Sequence, residues 1–230
     1  TGPCAAHFDL YDGDRLVRGN MSPAIAVRMV LWQVNQVALA SASHVVLHAG
    51  CVARGDRALV LGGPMDAGKS TLVAGLVRRG MEYMSDEFAP VSLASGSVVA
   101  YPCPLALEPG SFPMFPELRP DVGAELVDDA RWSVAPNLLG AVHAAGRPAR
   151  PAAVVFPLYS PHAAPRVDRL PPRTAIARLV GQTLNLARVG GAGFRALAEL
   201  AMTTACYELS FSDLEVACAR LMGLLPEAAA

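Results

Sequence analysis

Gly63-Pro64-Met65-Asp66-Ala67-Gly68-Lys69-Ser70 stands in frame with the phosphate-binding pattern G-x-x-x-x-G-K-[ST]. Lys69 is the only lysine among 230 residues, and the other 18 basic side chains are arginine. A chain that takes a guanidinium almost everywhere keeps one ammonium here. A compact point charge fits between phosphates where a flat fork fits badly. The pattern has a physical basis: a strand-to-helix loop must turn its backbone N–H groups inward to cradle anions, which small residues and glycines allow. The helix that follows aims its N-terminal dipole at the same charge.

The flanks agree with the motif. Arg57 to Gly62 reads as a short buried strand and Ser70 to Gly80 as a helix with Leu72, Val73, Leu76 and Val77 on one face. Arg78 and Arg79 occupy the negative helix end, and Gly80 stops it. Nucleotide contacts are accordingly expected from Gly63, Pro64, Met65, Asp66, Ala67, Gly68, Lys69, Ser70 and Thr71, with the Ser70 hydroxyl as a Mg²⁺ ligand. Asp66 is the discordant letter, because a carboxylate within a few ångströms of a triphosphate repels it.

A hydrophobic content of 53% suits one globular domain spanning residues 1–230, with an N-terminal hairpin and helix in 1–43, a nucleotide-binding core in 44–112 and a strand/helix part in 113–230. Net charge is −1 and the arginines are scattered without aromatic interleaving, which argues against a nucleic-acid platform. The longest apolar stretch, Ala24 to Val46, is interrupted by Arg28, Gln33, Asn35 and Gln36, so no membrane span is expected. Cys4, Cys51, Cys103, Cys206 and Cys218 are odd in number and widely spaced, and read as free thiols of a reduced, cytoplasmic compartment. A homo-oligomer is compatible with this composition.

Along the chain, a hairpin is expected around Asp12-Gly13-Asp14 and a helix from Ser22-Pro23 to near Ser41. One strand is expected from Val45 to Ala53, a turn at Arg54-Gly55-Asp56, a short strand at Tyr83-Met84-Ser85, and a hairpin around Ser95-Gly96-Ser97. Pro102 to Pro120 holds six prolines and reads as an irregular, substrate-facing loop. Ala144 to Ala153 reads as a mobile surface loop. Ala152 to Pro157 and Tyr207 to Phe211 read as strands, and Thr174 to Arg188, Phe194 to Thr204 and Ser212 to Leu224 as helices.

Asp86-Glu87 follows the short strand, 17 residues beyond Lys69. An Asp-Glu dipeptide is more often a solvated turn, but this spacing fits one helix, one glycine stop and one strand. The pair then emerges at a strand's carboxyl end, where ligands collect in open α/β sheets. Phosphoryl transfer needs cations for the phosphates, a metal and a group for the acceptor hydroxyl. One carboxylate can take the proton while the other orients the metal. His48, in an apolar strand, would by itself be a satisfied core residue.

Three blocks together carry a family resemblance: Leu47-His48-Ala49-Gly50-Cys51-Val52-Ala53, Gly63 to Ser70, and Arg79 to Glu87. They resemble the histidine, P-loop and Asp-Asp blocks of the HPr serine kinase/phosphorylase family. Tyr101-Pro102-Cys103-Pro104-Leu105-Ala106-Leu107-Glu108-Pro109-Gly110-Ser111, with Gly193-Phe194, Tyr207-Glu208-Leu209 and Asp213-Leu214, is similar to small HPr-kinase-related proteins of peptide natural-product pathways, lasso peptides included. The resemblance implies an α/β fold with a P-loop core like that of phosphoenolpyruvate carboxykinase and HPr kinase, a mixed sheet flanked by helices. It further implies ATP, Mg²⁺ and a serine acceptor on a peptide or small protein such as a precursor peptide. Asp86 is implied as the base, Glu87 as a residue near the metal, and His48 as part of the active site. Met65-Asp66 departs from the family's usual Ser-Gly, Glu87 from its second Asp, and Glu108 from a frequent lysine; only 47 residues precede His48.

Two other functions share the motif. A small-molecule P-loop kinase would use the same chemistry, although Pro102 to Pro120 contains only Arg119 where such enzymes carry an arginine-rich lid. A non-catalytic nucleotide-binding scaffold would accommodate Asp66.

Overall fold

The sequence Arg57-Ala58-Leu59-Val60-Leu61-Gly62 contains no polar residue after Arg57, which is what a strand covered on both faces requires. A computed structural model describes residues 7–38, 43–121 and 130–225 and places that strand inside a mixed, curled sheet. The chain divides into two compact units, Thr1–Ser41 with Leu107–Ser133 and Ala42–Ala106 with Val134–Ala230.

In the first unit, β1 (Phe8–Asp12) and β2 (Arg15–Met21) form the expected antiparallel hairpin, with Gly13 at φ 58° in its turn. Helix α1 (Pro23–Ala38) begins with proline at its first position, where the missing N–H costs nothing. Its expected end near Ser41 lies outside the described residues, as does Cys4. The proline-rich stretch contributes two short 3-10 helices, Pro109–Met114 and Pro116–Leu118, and Phe112 stacks on Trp132 with centroids 3.8 Å apart. Glu108 precedes the first of these, its carbonyl accepting from Ser111 N–H.

The second unit contains β3 (His44–Leu47), β4 (Ala49–Arg54), β5 (Arg57–Gly62), α2 (Lys69–Arg78), β6 (Glu82–Ser85), β7 (Ala89–Ser92) and β8 (Val98–Val99). Two short strands, β9 (Leu105–Leu107) and β10 (Trp132–Val134), fall where the chain leaves and re-enters this unit, and helix α3 (Pro136–Leu139) follows within it. β11 (Pro148–Tyr159), β12 (Arg166–Arg169), α4 (Pro172–Gly181), α5 (Leu186–Thr203), β13 (Ala205–Phe211) and α6 (Leu214–Met222) complete it. The strand order is β3-β7-β8-β11-β5-β4-β6, with β13 beside β11 and β12 beside β13. β5, β11 and β13 are mutually parallel; β4 is antiparallel to both β5 and β6. β5 and β6 therefore run the same way and end at the same edge of the sheet.

Val45, Cys51, Val60, Val154 and Cys206 form one core cluster with Leu179, Leu197 and Leu200, which places α4 and α5 on one face. α2 packs against β4 and α6. A Cβ on Gly50 would stand 2.6 Å from Val73 Cγ2, and one on Gly75 2.8 Å from Cys218 Sγ, so both glycines set close approaches. Asp213 caps α6 through Val216 N–H at 2.9 Å.

Three expectations are corrected, and one strand is added. The apolar run Val45 to Ala53 is two strands, broken at His48, whose N–H donates to Gln182 O at 2.7 Å; β3 pairs with β7 and β4 with β5 and β6. Both arms are buried, so hydropathy carries no trace of the break. The Ala144 to Ala153 segment is no surface loop from Pro148 onward but the start of β11, the longest strand. Pro148 opens it and Pro151 sits at a register shift, the two places where a strand tolerates a residue without an N–H. The helix expected from Thr174 to Arg188 ends at Gly181; Thr183 bridges to Leu47, and α5 starts at Leu186 and is kinked at Gly190, whose φ of 52° and ψ of −136° are not helical. β12 had no signal, since Arg166-Val167-Asp168-Arg169 holds a single apolar residue.

Cys51, Cys103, Cys206 and Cys218 are buried free thiols. Among the described residues no helix is long and apolar enough to cross a membrane.

Candidate phosphate-binding site

Strand register assembles the site. Ala49 of β4 pairs with Gly62, the last residue before the loop, while Cys51 pairs with Ser85, the last residue before Asp86. The start of β4 thus lies between the loop on one side and the acidic pair on the other. His48, half-buried, immediately precedes Ala49 at that edge. The three sequence blocks converge within the second unit.

The loop leaves β5 at Gly63 and enters α2 through Gly68, whose φ of 88° and ψ of 16° lie in the left-handed region. Space as well as torsion calls for glycine there, because a Cβ would stand 2.8 Å from Phe211 Cζ. Asp66 also has positive φ, 62°. Aspartate tolerates this conformation better than most residues with a side chain, which explains why it can stand where glycine is usual. Pro64, Met65 and Asp66 form the exposed tip, Met65 with 77% of its surface open.

Lys69, buried, folds back so that Nζ donates to Gly63 O at 2.9 Å and Pro64 O at 2.7 Å. The ammonium is held at the inner side of the loop, where a compact three-donor cation fits. As the first residues of a helix, Lys69, Ser70 and Thr71 present N–H groups that an α-helix cannot satisfy internally.

Ser70 Oγ donates to Asp86 Oδ2 at 3.0 Å, and Ala106 N–H donates to the same oxygen at 3.1 Å. Asp86 is 1% exposed and its Oδ1 has no partner. Burial pushes its carboxyl up from 3.8 to about 6, and Glu87 adds to the rise. The Ala106 and Ser70 hydrogen bonds and the charge of Lys69 pull the other way. A buried carboxylate oxygen without a partner is costly, and such groups concentrate where a ligand completes them. Glu87 is half-buried beside it.

Several contributors had no sequence signal. Ala106 acts through its backbone alone. Cys103 keeps its thiol against the Asp86 and Glu87 backbone: burial raises it, and hydrogen bonds from both residues' backbone oppose the rise. Tyr83 OH donates to Cys103 O at 2.7 Å, tying β6 to the same segment. Tyr159 and Phe211, at the ends of β11 and β13, border Gly68.

Mg²⁺ fits these residues. The Ser70 hydroxyl and the unpartnered Asp86 oxygen are hard oxygen donors at the foot of the loop, and this ion commonly takes only one or two protein oxygens beside phosphate and water. Among the described residues no group of three or more His, Cys, Asp or Glu forms a self-sufficient metal cluster.

No protein-family model matches the chain. No curated protein matches it either. Among solved structures it is similar to the Hpr(Ser) kinase/phosphatase from Coxiella burnetii, at 10% identity over 77% of this chain and 91% of that one, with a TM-score of 0.28. What the site can do chemically follows from its own residues.

Proposed function

We propose that this chain is an ATP- and Mg²⁺-dependent serine kinase acting on a peptide or small protein, with a ribosomally made precursor such as a lasso peptide precursor as the leading acceptor. The observation that carries the reading is the hydrogen bond from the motif serine to a buried strand-end carboxylate, Ser70 to Asp86. Mg²⁺ would supply neutralisation of the charge that develops during transfer. Ser70 and Asp86 are the residues that would hold it; Lys69 and the backbone N–H groups of Gly63 and of Met65 to Thr71 would hold the phosphates, Pro64 having no N–H to give.

The resemblance implies Asp86 as base and Glu87 near the metal, whereas the Ser70–Asp86 bond favours the opposite division. Asp86 is engaged with the metal-side serine, which leaves Glu87 to accept the acceptor's proton. The acceptor oxygen forms a bond to the γ-phosphorus, the bond from that phosphorus to the β-bridging oxygen breaks, and ADP leaves. His48, at the rim of the site, is proposed to orient the acceptor. The likeness of Tyr101 to Ser111 to small HPr-kinase-related proteins supports the choice of a peptide acceptor.

Transfer of labelled phosphate from ATP to a Ser-containing precursor tests this. Lys69→Ala and Asp86→Asn are expected to abolish transfer. Glu87→Gln is expected to keep nucleotide binding and slow transfer by about 10²–10⁴-fold. Undiminished transfer in both Lys69→Ala and Asp86→Asn overturns the assignment. ADP release that needs a metabolite and no peptide would instead support the small-molecule kinase.

A further inference from the structure

The loop divides its surroundings into two sides. On one side, across β4, lie Asp86 and Glu87 at the end of β6. On the other, β11 runs parallel to β5 and β13 parallel to β11, so their carboxyl ends reach the same edge. Tyr159 and Phe211 are register partners there, with ring centroids 5.6 Å apart and planes at 65°. Phe211 is buried, while Tyr159 leaves 48% of its surface open. Tyr159 Cβ lies 3.5 Å, and Phe211 Cζ 2.8 Å, from the point where a Cβ on Gly68 would stand.

A triphosphate is a linear anion held at its middle by the loop. With its terminal phosphate towards the unpartnered oxygen of Asp86, its other end must run away from β6, towards β11 and β13. That end carries the nucleoside. We infer that Tyr159 is the aromatic platform on which the nucleotide base stacks, with Phe211 buttressing its ring edge-on. Every base offers a π-face, so this platform confers affinity for a nucleoside over bare polyphosphate without choosing among bases. The inference rests on the phosphate-loop reading of the proposed function and adds the residue that distinguishes a nucleotide from an inorganic anion.

Calorimetric titration with ATP and with inorganic tripolyphosphate, both with Mg²⁺, tests it on the full chain. The native protein is expected to bind ATP about tenfold or more tightly than tripolyphosphate. Tyr159→Ala and Tyr159→Leu should erase that advantage and leave tripolyphosphate affinity unchanged, and Tyr159→Phe should retain it. Leucine keeps an apolar neighbour for Phe211, so the Leu and Phe variants decide the matter even where alanine unfolds the protein. ATP affinity unchanged in Tyr159→Leu, or both ligands weakened equally, overturns the inference. Native protein that binds tripolyphosphate as tightly as ATP overturns it while leaving the kinase reading intact. Native protein that binds neither overturns the kinase reading, and this inference with it.

Discussion

Ser70 Oγ donates to Asp86 Oδ2 across 3.0 Å, joining the first turn of α2 to the end of β6. These residues are 16 apart in sequence, and neither is held there by the other alone. α2 is fixed by Leu72, Val73, Leu76 and Val77 in the core, and β6 by its pairing with β4. Asp86 sits fully desolvated with one oxygen unpartnered, an arrangement that stability alone does not favour.

Asp86→Asn is therefore expected to stabilise the metal-free protein. The folded carboxyl titrates near 6 against 3.8 in its ordinary state, so the folded form binds its proton more tightly. Stability from this group is fully present below 3.8, declines as pH rises to about 6, and is flat above. The shift corresponds to roughly 3 kcal/mol at most. Melting curves in EDTA should show the variant's advantage grow from pH 4 to about pH 6 and level off above it; a pH-independent difference would contradict this account.

Asp66→Gly should raise ATP affinity several-fold. Glycine removes an exposed negative charge from the loop tip, which raises affinity, and relieves a left-handed conformation already present without ligand, which adds about 1 kcal/mol of stability and no affinity. Asp66→Asn separates the two effects, because it keeps the backbone preference and drops the charge. Gains measured by calorimetry should shrink with added salt; equal affinity in all three proteins would show that the loop tip does not approach the nucleotide.

Gly68→Ala should damage both fold and site. The substitution meets a φ of 88° and a carbon of the buried Phe211 ring 2.8 Å away. A loss of roughly 1–3 kcal/mol and of measurable ATP binding is expected. Shortening the ring in Gly68→Ala/Phe211→Leu should return part of the stability and little of the binding. Native-like melting of the single variant would disprove the close packing.

Lys69→Arg should fail nearly as completely as Lys69→Ala in phosphate transfer. Nζ bonds two carbonyls of the loop's own first residues, a space in which a guanidinium would push Gly63 and Pro64 apart. Transfer retained within a few-fold by the arginine variant would remove the reason given for the lone lysine.

The loop, its strand and its helix were legible because eight residues specify one backbone path, and the acidic pair because 17 residues measure one helix and one strand. The break at His48 was not, since β3 and β4 are equally buried and only the carbonyl of Gln182, far along the chain, marks it. β11 was missed at its start because Pro148 and Pro151 signal a loop locally, while their harmless positions depend on which neighbours pair. Ala106 contributes an N–H, which every residue but proline has. Tyr159 and Phe211 become a pair only once the parallel register of β11 and β13 is known.

β4 lies between β5 and β6 and, within its first three residues, meets Gly62 with Ala49 and Ser85 with Cys51. It sets the spacing between the Gly63–Ser70 loop and the Asp86-Glu87 pair. An insertion within its first three positions would rotate the pleat and throw the two halves of the site out of alignment. The Arg54-Gly55-Asp56 turn lies at the far end of β4 and is tied to β11 by Arg150, whose N–H donates to Asp56 O at 2.7 Å, so a change of length there would strain the opposite edge of the sheet and leave the pairings beside the histidine in register.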